Sequence, residues 1–178
     1  MSEQHGSSAS LAPLAVQVRD LPSLRAACMP YIGPANEISR HFQRLEAFVA
    51  KTGIGPAGPL LCSFTGLIDN SSSKNHQEPN INAVLMVPVT RLVDDCDDGI
   101  KTQRLPSQRA ACLLYSGPMD SSFRQRHLDL FTWLEAAELQ HKGTAHQHAY
   151  LSREQHSDHW TVEIRVPILT QNTSTTAL

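Results

Sequence analysis

Residues 21–34, LPSLRAACMPYIGP, recur as LPSQRAACLLYSGP at residues 105–118, with ten of the fourteen positions identical and an offset of 84 residues. A chain that writes the same segment twice must build the same local structure twice. In 178 residues there is room for two half-units of roughly 75 residues each, too small to close separate cores and well sized to share one. Each half must then bury its apolar face against its twin, and the seam between them is a natural place for a pocket.

The periodicity within each half agrees. Val16 and Val18 alternate with polar neighbours as a strand does, Leu21-Pro22 breaks the run, and Arg25 to Ile32 reads as a second strand ending at Gly33-Pro34. A helix follows, with Asn36 as its expected N-cap, Ile38, Phe42, Leu45, Phe48 and Val49 on one face, and Gly53 at its exit. Two strands, Leu60 to Ile68 and Ile81 to Thr90, close the half, separated by the polar loop DNSSSKNHQEPN. The second half repeats the order: strands at Ile100 to Arg104 and Arg109 to Ser116, then a helix capped by Asp120 or Ser121. Its apolar face carries Phe123, His127, Leu130, Phe131, Leu134 and Ala137, and strands follow near His148 to Leu151 and Trp160 to Leu169. The fold class is α+β, a duplicated strand-strand-helix-strand-strand unit. One domain is expected over 15–169, with half-repeats 15–93 and 99–169, a linker at 94–98, a disordered leader at 1–14 and a flexible tail at 170–178.

Charge and cysteine content exclude several classes. A formal charge of −2, with fifteen Lys and Arg residues in no stripe, gives no electrostatic reason for direct nucleic-acid contact. No window reaches the roughly eighteen apolar residues that span a bilayer, and the leader lacks a signal-peptide pattern, so no membrane partner and a cytoplasmic address are expected. Cys28 and Cys112 occupy equivalent repeat positions and read as small buried hydrophobes, while Cys62 and Cys96 have no CxxC spacing, so neither a disulfide nor a thiol metal site is expected.

At the level of whole motifs the chain resembles the GyrI-like small-molecule-binding domains, found also as effector domains of AraC-type regulators and of multidrug-responsive MerR-type activators. The resemblance spans about Val16 to Leu169 and is carried by the two LPxxRAA…GP segments, the helix with Trp133-Leu134, the Tyr150-Leu151 strand and the ending TVEIRVPI. It implies two antiparallel sheets about a pseudo-twofold axis, helices on one side and a ligand groove between the halves. Two departures stand out: Ala35 and Met119 follow the Gly-Pro pairs where members commonly carry Tyr, and His148 stands where members often carry Glu. The leader is too short for a helix-turn-helix segment, so a self-contained transcription factor is not expected.

Strand parity singles out Glu163. If Val162, Ile164, Val166 and Ile168 face the helices, Thr161, Glu163 and Arg165 face the other way, toward the expected groove, and Asn82, Val84 and Met86 do so in the first half. A desolvated carboxylate in an apolar groove attracts lipophilic cations or acts as a general base. The alternative is that Glu163 pairs with Arg165 or Lys101. Tyr31 and Tyr115, equivalent by the repeat, either border the groove or serve packing, and Tyr150 and Trp160 are placed to stack on a planar ligand.

Histidines crowd into residues 141–159, and His146-Gln147-His148 has a spacing that permits zinc or copper coordination. No nearby Cys or paired carboxylate completes a site in sequence, the stretch reads as a largely solvated loop with one short strand, and neither a metal nor another cofactor is expected. His127 reads as a satisfied core histidine.

The expected function is binding of a hydrophobic, planar and cationic small molecule, a drug or toxin, in the groove, for sequestration, sensing or resistance. Its ligand-binding residues would be Glu163, Tyr31, Tyr115, Tyr150, Trp160, Val84, Met86, His148 and Arg165. The alternative, implied by stand-alone members of the family, is a detoxifying hydrolase that adds water to a strained electrophilic ring, with Glu163 and Tyr115 as catalytic groups. A protein-partner role, as a modulator of DNA gyrase or of a regulator, is a third reading. Both a monomer and a homodimer fit the sequence.

Overall fold

The computed structural model describes residues 15–65, 80–94, 99–143, 146–152 and 159–169. The expected leader, the tail, most of the polar loop and most of the linker lie outside the described residues. Eight strands and two helices follow in the order β1 (Val16–Leu21), β2 (Leu24–Pro34), α1 (Ile38–Lys51), β3 (Leu60–Phe64), β4 (Asn80–Pro88), β5 (Lys101–Leu105), β6 (Gln108–Gly117), α2 (Ser121–Ala136), β7 (His146–Tyr150) and β8 (Trp160–Pro167).

All eight strands join one antiparallel sheet in the order β1-β6-β8-β7-β3-β4-β2-β5. This corrects the expectation of two sheets. β3 and β7 pair directly, Leu60 opposite Tyr150 and Phe64 opposite His146, so the ladder runs unbroken across the seam. Each first strand lies beside the other half's repeated strand, β1 on β6 and β5 on β2.

Alternation fixes the faces. Ala27, Met29 and Tyr31 of β2 and Ala83, Leu85 and Val87 of β4 are buried together with Phe42, Leu45, Phe48 and Val49 of α1. Ala111, Leu113 and Tyr115 of β6 and Val162, Ile164 and Val166 of β8 are buried with Phe123, Leu130 and Leu134 of α2. Both helices thus cover the same face, since odd-numbered positions of β2 and β6 and even-numbered positions of β8 all point toward them. A smaller cluster, Ala26, Cys28, Leu61, Met86 and Ala149, is buried on the opposite face. Cys28, Cys62 and Cys112 are buried free thiols, and burial pushes Cys62 up to about 12.

The helix ends differ. Asp120 caps α2, its Oδ1 accepting from Ser122 N at 2.8 Å. The expected Asn36 cap of α1 is not found: residues 35–37 form a single 3-10 turn, and the N-cap residue is Glu37, which makes no side-chain cap bond. The chain leaving Gly33-Pro34 winds directly into that turn, so Asn36 has already lost the extended backbone an N-cap needs. At the other end Thr52 closes α1 and Gly53 takes φ +62°, the left-handed conformation that suits glycine.

Candidate functional site

Between α1 and α2, above the β3–β7 seam, lies a cavity of about 440 Å³. Both halves build it. Phe42, Ile38 and Glu46 come from α1, Phe64 from β3 and Ile81 from β4, while Met119 and Phe123 enter from the start of α2, His148 and Tyr150 from β7 and Trp160 from β8. The sequence places them there for simple reasons. His148 and Tyr150 sit two residues apart on one strand and share its helix-facing side, and Phe42 and Glu46 are one helical turn apart. Phe42 meets Tyr150 edge-on with ring centroids 5.9 Å apart, Tyr150 meets Trp160 at 6.2 Å, and Phe123 meets His148 at 5.2 Å. An apolar, aromatic concavity with a few polar groups is the usual form of a small-molecule site.

A family model described as the GyrI-like small molecule binding domain matches residues 14–169. The chain belongs to the GyrI-like family. Among curated protein sequences none matches this GyrI-like domain. Its fold is shared with the EcmrR C-terminal domain, at 19% identity and a TM-score of 0.72, covering 89% of this chain and 99% of that one. It is shared too with a hydrolase encoded by lin2189 from Listeria innocua, at 12% identity and 0.63, covering 86% and 91%. A third likeness is to SAV2435 bound to tetraphenylphosphonium, at 14% identity and 0.54, covering 88% and 94%. At these identities the likeness is one of fold.

Of the residues nominated from sequence, the GyrI-like domain brings His148, Tyr150 and Trp160 together in the aromatic cavity. Glu163 lies elsewhere. Val162, Ile164 and Val166 do face the helices, so Glu163 and Arg165 face away from them, and the aromatic cavity is on the helix side. The expected meeting of carboxylate and aromatics is therefore not found, because parity separates residue 163 from residue 160. Arg165 Nε donates to Glu163 Oε1 at 2.6 Å, Arg19 of β1 donates to Oε2, and Arg165 Nη1 donates to Gln147 Oε1 at 3.2 Å. A carboxylate held by two guanidiniums has little field left for a cationic ligand.

Val84, Met86 and Arg165 border a smaller concavity of about 230 Å³ on the helix-free face, and a neighbouring one of about 550 Å³ is lined by proline, leucine and three arginines. Neither has an aromatic wall. Tyr31 and Tyr115 line none of the three: both are buried, their hydroxyls donating to Pro34 O at 2.6 Å and Pro118 O at 2.5 Å.

The histidine stretch departs most from expectation. His146 and His148 are 4% and 3% exposed, so they are core residues and not a solvated loop. His127 reaches them from α2: its Nε2 lies 2.6 Å from His148 Nε2, and its Nδ1 lies 3.2 Å from Phe123 O. Burial holds His127 below its ordinary value and His148 well below, the latter with a smaller contribution from the neighbouring rings. Both are therefore neutral near pH 7. Burial also raises the Tyr150 phenol well above its ordinary value, leaving it a protonated hydrogen-bond donor. The cavity carboxylate is Glu46, which sequence reasoning passed over because residue 46 sits between the apolar positions of α1. Its i+4 relation to Phe42 was the available signal.

Proposed function

We propose that this GyrI-like domain binds a hydrophobic, planar, preferentially cationic small molecule in the cavity between α1 and α2, and so acts in sequestration, sensing or resistance. The observation that carries the reading is the aromatic wall of Phe42, Phe64, Phe123, Tyr150 and Trp160 around about 440 Å³, a volume suited to one multi-ring ligand. Ring faces carry negative potential, and Glu46 adds a carboxylate to the same wall, so a delocalised cation gains from both. His148 and Ser152 add polar groups that fix orientation. Glu163 with Arg19 and Arg165 is assigned to tying β1 to β8 across β6 on the other face.

A duplicated, pseudo-symmetric unit is part of this reading. It is supported by the repeated segments occupying β2 and β6, and by a strand order that reads the same from either end when β1–β4 are exchanged for β5–β8. The cavity then sits where the two copies meet, which explains why each supplies one helix and two strands to its wall.

Tetraphenylphosphonium and planar cationic dyes are the probes. A ligand that binds the folded state alone raises the thermal midpoint. Trp160→Ala should weaken dye affinity roughly tenfold through lost stacking, Glu46→Gln should weaken cationic dyes more than neutral analogues, and Glu163→Gln should leave affinity unchanged. Dye affinity insensitive to both Trp160→Ala and Glu46→Gln would place the ligand elsewhere. Recovered ligand heavier by one water, at substoichiometric protein, would replace binding with hydrolysis.

A further inference from the structure

His127 on α2 and His146 and His148 on β7 offer three imidazole nitrogens, one from each residue, that all lie within 4.8 Å of one another. Their ring centroids are 4.7 to 5.3 Å apart. We propose that these three histidines form a site for a divalent late first-row transition ion, zinc foremost, whose open coordination position faces the aromatic cavity.

His127 is already oriented by a backbone carbonyl. Phe123 O can only accept, so His127 Nδ1 carries the proton and His127 Nε2 presents its lone pair toward His148. A backbone carbonyl on the distal nitrogen is how proteins commonly orient a metal-ligating imidazole. His148 shows a matching deficit. It is 3% exposed, its Nε2 is engaged with His127, and its buried Nδ1 has no hydrogen-bond partner among the described residues. Buried polar nitrogens are nearly always satisfied, and one left over at a cluster of ligating side chains points to a bound group.

The walls and donor set narrow the ion. Phe64 stacks on His146, centroids 4.8 Å apart and planes 13° from parallel, and Phe123 meets His127 edge-on at 4.8 Å. The phenylalanines give the cluster apolar neighbours. Three imidazoles without carboxylate or thiolate suit zinc, copper, nickel or cobalt and do not suit magnesium or calcium. Three protein ligands also leave one position of a tetrahedral ion open. Because His148 lines the aromatic cavity, that position opens toward the space where a small molecule sits. With the unpartnered Nδ1 of His148 as its ligand atom, loading requires the His127 Nε2 lone pair to turn from the His148 Nε2–H, 2.6 Å away, to the ion. The His127 side chain can supply this, since β7 is fixed by ladder bonds to β3 and β8.

The test needs no organic ligand, so it fails or succeeds independently of the cavity reading. Chelator-treated full-length protein is dialysed against Zn²⁺ and its metal content measured. One zinc per chain is expected, with a raised thermal midpoint. His127→Gln and His146→Gln should each weaken it at least about tenfold, while His141→Gln and His159→Gln, at exposed positions, should not. Cobalt in the unaltered protein should give the intense visible bands of a four-coordinate ion, a readout that does not depend on any variant folding. Well under one zinc per chain, a weak six-coordinate cobalt spectrum, or affinity unchanged in folded His127→Gln and His146→Gln proteins would overturn the site.

Discussion

Tyr31 and Tyr115 show how one residue can read as a ligand contact and turn out to be a local clasp. Each hydroxyl reaches the carbonyl of the proline three residues on, laying the ring across the intervening glycine. A Cβ at Gly33 would lie 2.7 Å from Tyr31 Oη, and one at Gly117 would lie 2.6 Å from Tyr115 Oη. Both ring ends are buried and hydrogen-bonded, so neither can swing away without loss. The YxGP pattern is thus explained by packing: glycine because the phenol occupies the space a side chain would need. Gly33→Ala and Gly117→Ala should each cost about 1–3 kcal/mol in chemical denaturation, the scale of overpacking. Tyr31→Phe alone should cost about 1 kcal/mol, and the Gly33→Ala/Tyr31→Phe pair should cost less than the sum, since removing the hydroxyl removes the closest of the contacts the new Cβ would make. Strict additivity would show that the glycine serves something else.

At the scale of elements, apolar spacing of two and 3.6 placed the strands and both helices near their observed positions, because each strand has one side pressed on the core and alternation records it; β3, expected to run to Ile68, ends at Phe64, and residues 66–68 lie outside the described residues. What spacing could not say is which side holds the ligand cavity. Val84 and Met86 are as apolar as Leu85 and Val87, so both faces of β4 look like a wall, and the aromatic one is set by where α1 and α2 part. Nor could spacing bring His127 to His146 and His148, since that meeting depends on α2 crossing β7 and not on any interval in the chain. Caps were legible where the backbone is extended, at Asp120, and illegible at Asn36, where a 3-10 turn intervenes. Asp120 Oδ1 also accepts from Ser122 Oγ at 2.6 Å, fixing the hydroxyl at the start of α2. Asp120→Ala should therefore speed amide exchange in the first turn of α2 and lower the thermal midpoint, with Asp120→Asn retaining most of the protection. Unchanged exchange at Ser122 and Phe123 would remove the cap from the account.

Over the whole molecule, the strand order makes the halves interdependent. β1 precedes α1 in the chain yet packs Val16 and Val18 against the core under α2, and β5 crosses the other way to lie on β2. Tyr150 packs against both clusters, and the β3–β7 ladder joins them. Neither half can unfold without stripping a strand from the other, so the chain should melt as one unit even though its core is divided into clusters. Trp133 and Trp160 both belong to the second half, which gives a direct check: tryptophan fluorescence follows that half, while far-UV circular dichroism follows both. The two denaturation curves should coincide in midpoint and slope. A circular-dichroism transition without a fluorescence counterpart would mean that the first half opens alone. The same coupling ties the cavity to global stability, because its wall is drawn from both sides of the seam. A cavity ligand should then shift both curves together, whereas a ligand held by one half would separate them.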